Sequence, residues 1–223
     1  MKAEKIFYRA SVITAIVSIN IHCAAQSNKT PTVTWFIPGV SYQVSPTLRF
    51  QDQVAFDPDQ HASFNYLQGF VTLNKHWILN AGYFYFHENN SGAKSYVEND
   101  GYLGASYIAT IGPFVVDDRN MLNSTFPETG LQKNFYRNRI RATLPFSIGS
   151  SNIANLYVFD EGYYLFNRAQ WTRNRIALGA NYNLTKDLNL DFSYWKQDDY
   201  FSKKIDQLFI MLTLNLCSKK ARH

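Results

Sequence analysis

Between Leu208 and Leu216 every second residue is aliphatic (Leu208, Ile210, Leu212, Leu214, Leu216), while Gln207, Thr213 and Asn215 stand on the other phase. Just upstream, Leu188, Leu190, Phe192 and Tyr194 alternate in the same way with Asn189, Asp191 and Ser193. A two-residue period puts such sets on opposite faces of a β-strand. The aliphatic face is expected to meet lipid and the polar face to line a lumen, so no buried soluble core is required. Strands of a membrane barrel need only about ten residues each, with aromatic girdles at both interfaces. The composition agrees, with 15 Tyr and 17 Phe. Past the leader there is no continuous apolar run of the roughly eighteen residues that a transmembrane helix needs.

Read along the chain, the same grammar yields eleven strand candidates: Val33–Val44, Thr47–Phe56, Phe64–Leu73, Trp77–Phe86, Gly101–Ile111, Phe114–Asn123, Phe135–Phe146, Ile153–Phe166, Trp171–Leu184, Leu188–Lys196 and Ile205–Leu216. Short turns and longer polar loops alternate between them, as at the periplasmic and extracellular ends of a barrel. The fold class is therefore all-β, an antiparallel transmembrane barrel of ten to twelve strands, with an even number expected for a bacterial single chain. Val33–Val44 fits least well, because Pro38 cannot donate to a ladder.

The N-terminus supplies the compartment. Lys2, Lys5 and Arg9 precede the largely apolar run Ala10 to Ile21, and Cys23-Ala24-Ala25 offers small residues for cleavage before Gln26. This is the layout of a secretory signal peptide, too short to span a bilayer as a helix. A lipoprotein reading of Cys23 fits less well, because Asn20, Ile21 and His22 precede it. The expected organisation is a cleaved signal over 1–25, a barrel over 26–216 and a basic tail over 217–223. The net charge of +5 falls further once Lys2, Lys5, Arg9 and Glu4 leave, which gives no argument for nucleic acid. Only Cys217 then remains, so neither an intramolecular disulfide nor a paired-cysteine metal site is expected. No cofactor is expected either. The expected location is the outer membrane, with its lipids and the barrel-assembly machinery as partners.

The stretch from Tyr136 reads Y-R-N-R-I-R, followed by an aromatic-rich strand containing Glu161 and then W-T-R-N-R-I-A-L-G-A-N-Y-N-L-T-K-D-L-N-L-D-F-S-Y-W from Trp171. This pattern resembles the domain-of-unknown-function 2490 family of bacterial outer-membrane barrels, and the likeness takes in Thr47–Phe56 and Leu67–Tyr83. The resemblance implies a fold and a location, and no activity. Many such barrels end on an aromatic residue; here Leu216 is followed by Cys217 to His223, so an assembly signal would be internal.

Arginines are the strongest candidates for function. Arg137, Arg139 and Arg141 share a phase opposite Ile140, Ala142 and Leu144; Arg173 and Arg175 share one opposite Ile176, Leu178 and Ala180. A guanidinium on the lipid face at mid-membrane costs about 2–4 kcal/mol, so these side chains are expected to point inward. Arg119, Asp117, Glu161 and Asp191 are expected beside them, although the phase of Glu161 is ambiguous. Two readings follow. Rings of arginine select anions in pores, or the same residues form a salt-bridged plug that only fills a narrow barrel. Tyr83, Tyr85, Tyr163, Tyr164 and Trp195 fit either interfacial girdles or a sugar slide.

A lipid hydrolase or acyltransferase would need a histidine near a serine or carboxylate at the membrane edge. His87 with Glu88, Ser91 and Ser95 sits at a strand-to-loop boundary suited to that role; His61 and His76 have no matching partners. No G-x-S-x-G, H-E-x-x-H or phosphate-binding glycine loop occurs. The expectation is a non-enzymatic structural barrel or narrow passive pore.

Overall fold

The computed structural model describes residues 30–59, 61–89, 95–148, 152–200 and 204–218. The signal peptide expected over 1–25, Ser91 and most of the basic tail lie outside the described residues.

Among the described residues there are eleven strands: β1 (Thr32–Gln43), β2 (Leu48–Asp57), β3 (Ala62–Thr72), β4 (Trp77–Glu88), β5 (Tyr96–Ile111), β6 (Phe114–Pro127), β7 (Lys133–Ile148), β8 (Asn152–Leu165), β9 (Gln170–Asn183), β10 (Leu188–Asp199) and β11 (Ile205–Cys217). Each follows its neighbour antiparallel, and β1 closes the barrel against β11. Every candidate from the sequence corresponds to one strand. The even count does not hold. With eleven strands in a simple meander the first and last run the same way, and β1 pairs with β11 in parallel, from Thr32↔Asp206 to Gln43↔Cys217. Closure removes the free edges that an open sheet would present.

Pro38 does lie inside β1. Its missing N–H is accommodated because the β1–β2 ladder steps from Phe36↔Phe56 to Gly39↔Gln53 without pairing the residues between. The ladder to β11 continues through Pro38↔Leu212.

At one end the connections are 44–47, 73–76, 112–113 and 184–187; at the other they are 58–61, 89–95, 128–132, 166–169 and 200–204, of which 89–95, 128–132 and 200–204 are longer than any of the first group. The short turns have local causes. Ser45 Oγ accepts the Leu48 N–H (3.1 Å), Asn74 Oδ1 those of His76 (2.8 Å) and Trp77 (3.0 Å), and Thr185 Oγ1 that of Leu188 (3.0 Å). Such side-chain bonds replace backbone partners lost in a turn. Gly112 has φ 59°, and with Pro113 it closes a two-residue hairpin of the kind that needs glycine first.

The outer wall is apolar over most of its circumference, with Leu103 (67%), Leu122 (59%), Ile140 (52%) and Ile176 (52%) exposed. The interior departs from a purely polar lumen. Val33, Trp35, Ile37, Ala55, Ala62 and Phe209 form a buried apolar cluster inside the barrel, joined by Phe64, Phe86, Trp195 and Met211. In a narrow barrel inward side chains of neighbouring strands cover one another, so apolar surface is removed from water on the lumen side too. The outer wall of β6–β9 departs in the opposite sense. Asp118, Asn120, Asn138 and Asp160 lie mid-strand on the outward phase. Their polar groups are met by one another: Asn138 Nδ2 donates to Asp118 Oδ1 (2.7 Å), Asn120 Nδ2 to the same atom (3.2 Å), and Asn174 Nδ2 to Asp160 Oδ1 (2.5 Å). The strictly aliphatic outer face expected from β10 and β11 therefore holds for those strands and not for this sector.

Candidate functional site

Strand register gathers the charged residues. A single row of the ladder runs Arg119↔Arg139↔Glu161↔Arg175↔Gln197, from β6 through β10. All of these are on the inward phase, which settles Glu161. Two residues along, Arg137 faces Tyr163 and Arg173. A β-bulge between Tyr163 and Tyr164 shifts the phase of β9, so that Thr172 and Arg173 both line the interior. A bulge re-aims side chains in this way.

Glu161 is the hub and is 1% exposed. Arg119 Nη2 donates to its Oε1 at 2.8 Å and Arg137 Nη2 at 3.2 Å, while Arg175 Nη1 lies 3.7 Å from Oε2. The Tyr163 hydroxyl links the last two groups: it accepts from Arg175 Nη1 (2.5 Å) and donates to Glu161 Oε2 (3.1 Å). Arg175 Nε also donates to Gln197 Oε1 (2.6 Å). Beside the hub, Arg139 Nη2 bonds Asp117 Oδ1 (3.2 Å), and Arg173 pairs with Asp199 through Nη2–Oδ2 (3.1 Å) and Nε.

The pairing is incomplete. Arg141 lies over the Tyr157 ring at 5.8 Å and has no ion pair among the described residues. The Nε atoms of Arg119, Arg137, Arg139 and Arg141 are buried without a hydrogen-bond partner among the described residues. Asp191, expected as an arginine partner, instead accepts from the Tyr157 hydroxyl (2.7 Å) and from Asn181 (3.4 Å). Four guanidinium groups (residues 119, 137, 139 and 175) thus share two carboxylates, Glu161 and Asp117, and Arg141 pairs with neither.

All nine charged candidates line one cavity of about 1430 Å³. Its walls reach from Arg49, Thr213 and Asn215 near the short-turn end to Leu131, Asn167 and Arg168 at the other. Of the aromatic candidates, Tyr163 and Trp195 are in this lumen, whereas Tyr83 (45% exposed) and Tyr85 (37%) are on the outer wall. Tyr164 is also outside, packed on Trp171 and Phe166.

The sequence reading missed the wall that faces the arginines. Trp35, Phe64, Tyr66, Phe84 and Tyr102 line the same cavity from β1 and β3–β5. Their alternation is present in the sequence, but only barrel closure sets them opposite β6–β9. Arg49 was missed as well; it lies over the Phe70 ring at 4.2 Å. His87 sits outward on β4, opposite Ser63 of β3, and no hydrogen bond joins its ring to a serine or carboxylate among the described residues. His76 Nδ1 meets the Ile108 carbonyl at 2.9 Å and its ring stacks on Tyr107. His61 has a positive φ of 49° beside β3. No group of three or more metal-ligating side chains occurs among the described residues.

A family profile described as "Protein of unknown function (DUF2490)" matches residues 32–208, which is nearly the whole barrel. The chain belongs to this family. No curated protein matches it. Two solved structures resemble it. One is a loop L8 deletion mutant of OmpT, an outer membrane protein of Vibrio cholerae, at 12% identity and TM-score 0.37, covering 74% of this chain and 57% of that one. The other is an anion-selective porin from Comamonas acidovorans, at 15% identity and TM-score 0.34, covering 76% and 52% respectively. The chain thus spans little more than half the length of either protein.

Proposed function

We propose that this protein is a non-enzymatic outer-membrane barrel that passes small anions through a narrow, arginine-walled lumen. The reading of location rests on the signal layout before Gln26 and on the apolar belt around most of the outer wall. Lipid surrounds that belt, and the assembly machinery inserts the chain after export and cleavage.

One observation carries the anion reading: nine basic against six acidic side chains line a cavity whose walls reach both ends of the barrel, with the inward arginines of β6, β7 and β9 at its centre. At about 4 Å and an effective dielectric constant near 20, each unbalanced charge attracts a monovalent anion by roughly 4 kcal/mol and repels a cation by as much. Arg139 and Arg141 are the groups least engaged by Glu161, so their charge is the most available to a passing ion. Arg119, Arg137 and Arg175 hold Glu161 and keep the wall in place.

The test is the reversal potential of the refolded barrel in a planar bilayer under a potassium chloride gradient. The expected sign is that of chloride preference, reduced in an Arg139→Ala, Arg141→Ala double variant. Cation preference, or the absence of any conductance, would overturn the proposal.

A further inference from the structure

Two chemically different walls line the one lumen. On β6, β7 and β9 stand the arginines. On β11, β1, β3, β4 and β5 stand rings in mutual contact: Trp35 on Phe64 (5.0 Å), Phe64 on Phe84 (5.2 Å), Tyr66 on Phe84 (5.7 Å) and Tyr66 on Tyr102 (5.7 Å). The walls join through a further aromatic run, in which Phe159 meets Trp195 (4.9 Å) and Trp195 meets Phe209 (4.3 Å). At that seam Arg139 lies over Phe159 (5.5 Å) and Arg175 over Trp195 (5.7 Å). Phe64, Tyr66 and Phe84 are only partly buried and line the open cavity.

A conduit for inorganic ions alone has no use for this second wall. Apolar ring faces turned toward water are unfavourable unless something covers them, and they offer no ligand to chloride. Half-covered rings across the lumen from Arg141, which has no ion pair among the described residues, and Arg139, held by Asp117 through one contact, match a solute with the same two-sided character. We infer that the lumen is a binding site for amphiphilic organic anions. The acid group sits on Arg139 and Arg141, and an aromatic or alkyl body lies on Phe64, Tyr66 and Phe84. A carboxylate meets the guanidinium fork in a planar, two-bond geometry, and the ring-lined wall takes the body by burial and edge or offset stacking. Small-molecule sites are commonly of this kind, mostly apolar with a few placed polar groups. The inference rests on the anion-passing reading for its positive wall and adds the class of solute.

The experiment uses three probes on the refolded full-length mature chain: 4-phenylbutyrate, butyrate (the acid without the ring) and 4-phenylbutanol (the ring without the charge). Binding is measured by equilibrium dialysis, and block of chloride current in a planar bilayer is recorded alongside. Phenylbutyrate is expected to bind at least about tenfold more tightly than either other probe, a difference equal to about 1.4 kcal/mol. Phe64→Ala is expected to erase the gap between phenylbutyrate and butyrate. Arg139→Ala with Arg141→Ala is expected to weaken both acids together. Should Phe64→Ala fail to fold, the three-probe comparison on the unaltered chain decides alone. Equal binding of phenylbutyrate and butyrate, with chloride preference intact, overturns the inference and leaves the pore reading standing. Equal binding of phenylbutyrate and phenylbutanol also overturns it, as simple partitioning into an apolar wall. Absence of chloride preference together with failure of either acid to bind overturns both.

Discussion

Replacing Glu161 by glutamine removes one charge and almost no volume from the centre of the lumen. The carboxylate holds Arg119, Arg137 and Arg175 and takes the Tyr163 hydroxyl proton in a hydrogen bond. Without it, Arg119, Arg137 and Arg175 lose their ion-pair partner, and their side chains are only 16–17% exposed where they meet Glu161. Removing one partner from a buried charge cluster costs about 3–5 kcal/mol, because the remaining charges stay desolvated and unpaired. Water in the lumen offsets part of this, so the lower end of that range, about 3 kcal/mol, is expected. Reversible urea unfolding in lipid vesicles, followed by tryptophan fluorescence, measures the change. Asp160→Asn is the control one residue away: Asp160 points outward and accepts from Asn174 alone, so its loss should change stability by less than about 1 kcal/mol. Chloride preference should rise in Glu161→Gln, since a negative charge leaves the wall. The reasoning is refuted if the two variants differ by less than about 1 kcal/mol, or if chloride preference falls.

Two further outcomes follow from the fold. Asn138→Leu leaves Asp118 with one fewer donor on the outer wall, where Asn138 Nδ2 lies 2.7 Å from it; a loss of about 1–3 kcal/mol in vesicle-based unfolding is expected, and a gain in stability would mean that lipid contact dominates there. A Cβ on Gly179 would come within 2.3 Å of the Tyr157 ring, so Gly179→Val should displace that ring, release its bond to Asp191 and cost about 1–3 kcal/mol. Unchanged stability in Gly179→Val would contradict the close packing of β8 on β9.

The sequence made most of the scaffold legible because the strand period is local. Leu188–Tyr194 and Leu208–Leu216 announce their faces within a few residues, and the turns at Ser45, Asn74, Gly112 and Thr185 carry their own polar or glycine signals. Polar positions blurred the ends of longer strands: β5 begins at Tyr96 rather than Gly101 and β6 reaches Pro127 rather than Asn123. Asn and Asp there are poor strand formers that the ladder nonetheless holds. The inward phase of the arginines could be argued from Ile140, between Arg139 and Arg141, and from Ile176, next to Arg175. The phase of Glu161 could not, because Asp160 beside it is equally polar and turns outward. The wall opposite was hidden for another reason. Trp35 and Phe209 are brought beside Phe64 by closure of β1 on β11, a contact between chain ends that no local pattern encodes. The odd strand number is already present as eleven candidates in the sequence; the parallel seam that accommodates it is a property of closure.

The account depends most on which side of the wall each residue of β7 occupies. Single cysteines placed at positions 137 to 142, in a Cys217→Ser chain reconstituted in vesicles, can be labelled with a small anionic, membrane-impermeant thiol reagent. Arg137→Cys, Arg139→Cys and Arg141→Cys should react, because those positions line the aqueous lumen. Ile140→Cys and Ala142→Cys should be protected by lipid. Labelling of Ile140→Cys with protection of Arg139→Cys would place the arginines outside the lumen and contradict the account.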